Sequence, residues 1–368
     1  MDAPKDYPLE LLGKLVRSES PSHEKSAVDE VGRLVASECR SLGADVEIVE
    51  QAEVGNHVQA RWGKGANGIL MLHHMDTVFP LGTLEKAPFR MLDDKVYGPG
   101  VLDMKGGIAI ALSAIRSLKE KLPFSGKPLT ALFTSDEEIG SDTSRSLIEE
   151  LAKESALVLV LEPGLVDGSL KVWRKGVGEY LVKVKGRASH AGVAPQEGHN
   201  AIQEMAHQVL AIQSLTDYAK GTTLNVGIIK GGTASNVVPA ECEVVVDYRV
   251  LMPEETERVD TAMTSLRPVI PGTRITVTGG LNRPPMPEDE LMKKTFSKAG
   301  QIASSIGLEL KAAGTGGGSD ANFVAPLGIP VLDGLGAFGE GAHSEREFIF
   351  ADSLRSRTKL LAALIERW

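Results

Sequence analysis

The 368-residue sequence predicts an α/β sandwich, a mixed and mostly parallel sheet covered by helices, with a two-layer α+β unit inserted into it. Three observations carry that expectation. Apolar runs of strand length alternate with amphipathic helical segments in the first half of the chain. The middle switches to period-two alternation, and helix and strand patterns then resume and end in a helix. With 42% hydrophobic and 24% charged residues the composition is that of a globular protein, and the length fits two domains.

Taken in order, Val28, Val31, Val35 and Cys39 recur at helical spacing after Ser22, with Gly43 as the stop. Val46 and Ile48 alternate, Val58 follows, and the run from Ile69 to Leu72 reads as a strand buried on both faces, ending at His73, His74 and Asp76. A loop containing Gly98 and Gly100 leads to a helix marked by Ile108, Leu112, Ile115 and Leu118. Strands from Leu129 to Thr134 and from Leu157 to Leu161 flank another helix.

The pattern then changes. Tyr180, Val182 and Val184 alternate, a helix carries Ile202, Met205, Val209 and Ile212, and Cys242, Val244, Val246, Tyr248 and Val250 alternate again. A helix with Val259, Met263 and Leu266 and a strand around Ile275 and Val277 complete a β-α-β-β-α-β series, which is ferredoxin-like. The expected division is therefore a main domain of residues 1–175 and 288–368 and an inserted unit of residues 176–287. Leu354, Leu361, Leu364 and Trp368 mark the closing helix.

Charge and cysteine content narrow the class of protein. Forty Lys and Arg against 49 Asp and Glu leave a net charge of −9, so nucleic acid is not an expected partner. No run approaches about 20 uninterrupted apolar residues, which argues against a membrane span. Residues Met1 to Glu10 show no basic start followed by an apolar run, and Cys39 and Cys242 form no metal-binding pair. A cytoplasmic protein is the expectation.

Ligands of open α/β sheets lie beyond the carboxyl ends of the strands. Three predicted strands end in polar clusters: His74 and Asp76; Asp136, Glu137 and Glu138; and Glu162. Asp103 lies just before the helix start at Gly106 and Gly107. Each feature has an ordinary explanation, since an Asp in that position is usually a helix N-cap and adjacent glutamates usually face solvent. Together, imidazole and several carboxylates at one sheet edge would raise one another's pKa values unless cations neutralised them. His with Asp and Glu suits Zn²⁺, with Mn²⁺ or Co²⁺ as alternatives.

Six segments occur in the order seen in the dinuclear zinc metallopeptidases: His74–Val78, Lys95–Gly107, Thr134–Ser141, Leu161–Gly164, Gly186–Gly192 and Gly316–Ala321. The sequence resembles that family, which includes glutamate carboxypeptidase (carboxypeptidase G), acetylornithine deacetylase, succinyl-diaminopimelate desuccinylase and the aminoacylases. The stretch containing Leu84, Pro88 and Phe89 looks most like the glutamate carboxypeptidase branch.

The resemblance implies two Zn²⁺ per subunit bridged by Asp103, with His74 and Glu162 completing one site and Glu138 and His343 the other. It makes Glu137 the general base and leaves Asp76 to accept the second N–H of His74 and set its tautomer. His73 is read as structural. His190 would donate to the oxyanion in the neighbouring subunit of a homodimer joined through the inserted unit. Arg249, Asn236, Gly317 and Gly318 would hold a free α-carboxylate, with the guanidinium gripping through two parallel hydrogen bonds. The implied activity is hydrolysis of an amide next to that carboxylate, in a C-terminal Glu or an N-acyl amino acid. The alternatives are an N-acyl-amino-acid deacylase and, in another class, a catalytically silent peptide-binding relative.

Overall fold

The computed structural model of the chain describes residues 6–122 and 127–368, so the first five residues of the Met1–Glu10 stretch lie outside the described part. It divides into two units. One consists of Met1–Trp173, Glu288–Thr315 and Ser319–Trp368, and the other of Arg174–Pro287 and Gly316–Gly318. No helix among the described residues is long and apolar enough to cross a membrane.

The larger unit is built on an eight-stranded sheet. Its order is Asp45–Val49, His57–Trp62, Leu129–Thr134, Gly68–His74, Ser155–Val160, Val331–Asp333, Leu170–Arg174 and Ala312–Thr315. The four strands from Leu129–Thr134 to Val331–Asp333 run parallel. Antiparallel pairs lie on either side of them. All seven residues of Gly68–His74 are buried, as a strand covered on both faces requires.

Register fixes where the polar strand ends meet. His74 pairs with Thr134, so Asp136, Glu137 and Glu138 emerge just beyond the neighbouring strand. Leu72 pairs with Val160 on the other side, which brings Glu162 level with His74.

The helix Gly106–Leu118 runs through the core, with eleven of its residues buried. It packs against the helices Tyr7–Arg17 and Ala351–Arg367. Its start lies so close to the sheet that a Cβ on Gly107 would come within 2.1 Å of the Leu161 carbonyl oxygen. Only glycine permits that approach, and the approach sets the Asp103 turn beside Glu162. A small sheet of Gly339–Glu340, Phe348–Phe350, Lys95–Tyr97 and Arg90–Leu92 frames the same turn from the other direction.

The smaller unit follows the β-α-β-β-α-β series. Its strands Gly176–Lys185, Thr223–Gly231, Glu241–Val250 and Arg274–Arg283 are antiparallel to their neighbours. The spatial order begins with Thr223–Gly231, continues through Glu241–Val250 and Gly176–Lys185, and ends with Arg274–Arg283. Tyr180, Val182, Val184, Val244, Val246 and Tyr248 form one buried face with Ala201, Met205, Val259 and Met263 from the two helices.

Candidate metal centre

Five predicted side chains, drawn from both halves of the chain, converge on one place. His74 Nε2 lies 3.1 Å from Asp103 Oδ1 and 3.6 Å from Glu162 Oε1. His343 Nε2 lies 3.3 Å from Asp103 Oδ2 and 3.3 Å from Glu138 Oε2. The structure thus contains two three-donor groups, His74–Asp103–Glu162 and Asp103–Glu138–His343, and the donor atoms of each lie within 4.8 Å of one another. Asp103 belongs to both, one oxygen facing each histidine.

Asp103 does not act as an N-cap. It lies in the irregular turn Val101–Lys105, and the helix beginning at Gly106 has Lys105 at its cap position with no side-chain bond. The Asp103–Met104 peptide is cis. Asp136 is committed elsewhere, its Oδ2 accepting from the Thr143 backbone N–H at 2.8 Å and the Thr143 hydroxyl at 2.7 Å.

The electrostatics are those of anions gathered out of water. Burial raises the Glu138 carboxyl pKa to about 7, with Asp103 and Glu137 adding to the repulsion and the His343 hydrogen bond opposing it. His343 is raised to about 10 by its hydrogen bonds to Asp103 and Glu138. Burial opposes charge on His74, but Asp103 and Asp76 outweigh it and hold the imidazole well above its ordinary pKa. Glu138 Oε1 is buried without a hydrogen-bond partner. Three carboxylates, two imidazoles and an unsatisfied buried oxygen make a donor set that fits divalent cations.

The comparisons with known proteins agree with this chemistry. Residues 70–367 match the model of peptidase family M20/M25/M40. Carboxypeptidase G2 from Pseudomonas sp. (strain RS-16) is 35% identical over 371 residues, covering 97% of this chain and 88% of that protein. The chain belongs to peptidase family M20/M25/M40. It is a metal-dependent peptidase. Acetylornithine deacetylase from Erwinia tasmaniensis is 28% identical over 383 residues, covering 98% of this chain and 97% of its own length. An M20 family metallo-carboxypeptidase from Sulfolobus solfataricus shares the fold with a TM-score of 0.77 at 18% identity, covering 98% of this chain and 99% of that one.

In this M20 peptidase the segments around the donors are tied to one another. Asp76 is fully buried, and its carboxylate accepts from the backbone N–H groups of Glu137 at 3.3 Å and Glu138 at 3.2 Å. His74 Nδ1 lies closest to the Asp76 backbone carbonyl, at 3.0 Å, with the carboxylate at 3.5 Å. The sequence reading gave the Asp76 carboxylate to the second N–H of His74; in the structure Nδ1 lies nearer the Asp76 backbone carbonyl, and the carboxylate accepts from the N–H groups of the tandem glutamates. Glu137 belongs to neither donor group and is partly exposed, whereas His73 is buried and stacked on Phe133 at 4.5 Å.

The remaining predicted residues lie in the smaller unit. His190 is exposed, and its Nδ1 accepts from the Gly192 and Val193 N–H groups at 3.2 Å, which leaves Nε2 to carry the proton. Asn236 is exposed, and its backbone carbonyl accepts from Ala191 N–H at 2.9 Å. Arg249 is forked onto Asp247, with Nε 3.0 Å from each oxygen and Nη2 2.7 Å from Oδ2, so its guanidinium already faces a carboxylate. Its Nη1 lies 3.5 Å from the Gly316 carbonyl oxygen.

Two buried arginines near the glycine turn escaped the sequence reading. Arg174 Nη1 donates to the carbonyls of Gly317 at 3.2 Å and Gly318 at 2.8 Å. Arg283 lies so close to Gly318 that an added Cβ would meet its Cδ at 2.8 Å. The sequence reading placed Arg283 in a loop before Pro284 and Pro285, whereas in the structure it ends the strand Arg274–Arg283.

Proposed function

We propose that this chain is a dinuclear zinc exopeptidase that cleaves the amide bond next to a free α-carboxylate, acting on a C-terminal glutamate or an N-acyl amino acid. The observation that carries the reading is the sharing of Asp103 between two three-donor groups. His74, Asp103 and Glu162 would hold one cation, and Asp103, Glu138 and His343 the other. Held there, two such cations would lower the pKa of a water towards neutrality and polarise the scissile carbonyl.

Glu137 then serves as the base. It stands outside both donor groups, keeps access to solvent, and is fixed through its backbone by Asp76. It takes a proton from the attacking water and delivers it to the leaving nitrogen. Asp76 orients His74 and the two glutamates together. Arg249 and Asn236, with the Gly316–Gly318 turn, take up the substrate carboxylate. Arg174, Arg249 and Arg283 gather round that turn, and their charge favours an anion there.

The smaller unit also serves as the dimer interface in this reading. Its edge strand Thr223–Gly231 exposes Ile228 and Ile229, and its helix Ala201–Gln213 exposes Ile202 and Leu210. His190, with its proton on Nε2, donates to the developing oxyanion in the partner subunit, a contribution of about 3–4 kcal/mol to the barrier. Cys39 and Cys242 are free, as suits a cytoplasmic protein.

An N-acyl-amino-acid deacylase is the second reading, favoured by the acetylornithine deacetylase relative that matches across 98% of this chain. Zinc-loaded protein assayed at pH 7 to 8 on N-acyl-glutamate, N-acetylornithine, N-succinyl-diaminopimelate and simple dipeptides, with products identified by mass, separates the two. Preferred hydrolysis of glutamate amides supports the first reading. Hydrolysis of none of them overturns both.

A further inference from the structure

Glu347 follows His343 by four residues and is 1% exposed, an unusual position for a charged side chain. Its carboxylate is spent on one turn. Oε2 accepts from Gly100 N–H at 2.9 Å, while Oε1 accepts from Leu102 N–H at 2.7 Å and Asp103 N–H at 2.9 Å. Its own backbone carbonyl accepts from Gly98 N–H at 3.4 Å. These donors belong to the turn that delivers Asp103, and Glu347 is in neither donor group itself.

The local fold explains the match. Phe348 pairs with Tyr97, so the ladder ends with Glu347 abutting the turn at Gly98 and Gly100. Gly100 has φ 73°, and an added Cβ would meet Thr77 Cγ2 at 2.9 Å, so the turn is packed closely against Thr77. Val101–Lys105 is irregular; the Gly98 carbonyl accepts from Val101 N–H at 3.3 Å, while the Leu102 and Asp103 N–H groups turn to Glu347. A buried carboxylate receiving the N–H groups of Gly100, Leu102 and Asp103 supplies their acceptors and fixes the turn's orientation.

We propose that Glu347 is a positioning residue. It holds the Asp103 carboxylate where the two donor groups meet and ties that carboxylate to the His343 loop, so that the two sites assemble as one. The proposal rests on the reading that Asp103 binds both cations.

The test uses the full chain, stripped with a chelator and titrated with Co²⁺, followed by calorimetry and by the visible absorption of the bound ion. In Glu347→Gln an amide N–H₂ faces backbone N–H donors at nearly unchanged volume. The expected result is at least tenfold weaker binding of one or both Co²⁺ ions, an altered absorption spectrum, and a kcat that falls more than KM changes. Glu347→Asp keeps the charge on a shorter arm and should bind Co²⁺ more tightly than the Gln variant. It also carries the test if the Gln variant does not fold. A Gln variant that binds two Co²⁺ with wild-type affinity and spectrum overturns the proposal, as does a folded Asp variant indistinguishable from wild type if the Gln form is lost. Wild-type protein that binds no Co²⁺ would instead overturn the metal reading on which the proposal stands.

Discussion

Ser22 Oγ donates a 2.7 Å hydrogen bond to Asp76 Oδ2, and both side chains are buried. The Ser22 backbone N–H also bonds the Thr77 carbonyl at 3.2 Å, which fastens the first loop of the chain to the segment after His74. Asp76 in turn holds the N–H groups of Glu137 and Glu138. A buried hydrogen bond to a charged group contributes about 1.5–3 kcal/mol. Ser22→Ala should therefore lower kcat by about tenfold or more while leaving KM within about twofold, and Ser22→Thr should restore most of the loss. Steady-state kinetics of the two variants checks this; an unchanged kcat in the alanine form removes Ser22 from the chain of contacts.

Glu137→Gln should fold and bind metal as the parent does, because Glu137 lies in neither donor group. Its kcat should fall by about 10²–10⁴-fold, the usual contribution of a positioned acid–base group. Metal analysis run beside the assay separates lost proton transfer from lost metal. A variant with full metal and wild-type turnover refutes the base assignment.

Arg249 meets its first carboxylate within its own strand, since Asp247 lies two residues away on the same face. Substrate must share or displace that partner. Arg249→Ala should raise KM for carboxylate-bearing substrates by at least about tenfold, equivalent to about 1.4 kcal/mol, with a smaller effect on amidated analogues. Asp247→Asn, which leaves the fork less neutralised, should lower KM for the same substrates. Equal KM changes for acids and amides in Arg249→Ala would contradict the clamp.

Removing metal should leave protons in its place. Asp103 and Glu138 hold the His343 imidazole up to about 10, and the net pull of Asp103 and Asp76 keeps His74 well above its usual value. The His343 ring is then protonated at pH 7.5 in chelated protein, and ligation requires the neutral imidazole. Zinc binding at pH 7.5 should thus release at least one proton per chain, and apparent affinity should rise as pH increases towards about 10. Calorimetry in buffers of different ionisation enthalpy measures the release; an enthalpy independent of buffer would contradict it.

The strands and helices that position the site were legible because burial writes itself into period. The all-apolar Ile69–Leu72 run announced a strand covered on both faces, and His74, at the end of that strand, reached the centre. Alternation through Cys242–Val250 likewise placed Arg249 opposite the buried Tyr248 and Val250. His343 was not legible in this way, because it sits in a loop at φ 62° with no periodic neighbours, and only the family resemblance singled it out. Ser22 and Glu347 were missed for a related reason: each acts on residues more than 50 positions away, through hydrogen bonds that leave no local pattern. Composition offered no sign of the Arg249–Asp247 fork either, since a charged pair on a strand face usually reads as solvated surface.

Diffraction from crystals of zinc-reconstituted protein at the zinc absorption edge tests the metal reading most directly. Two anomalous peaks are predicted, one contacted by His74, Asp103 and Glu162 and the other by Asp103, Glu138 and His343, with Asp103 contributing an oxygen to each. A single peak, or peaks that leave Asp103 on only one ion, would contradict it.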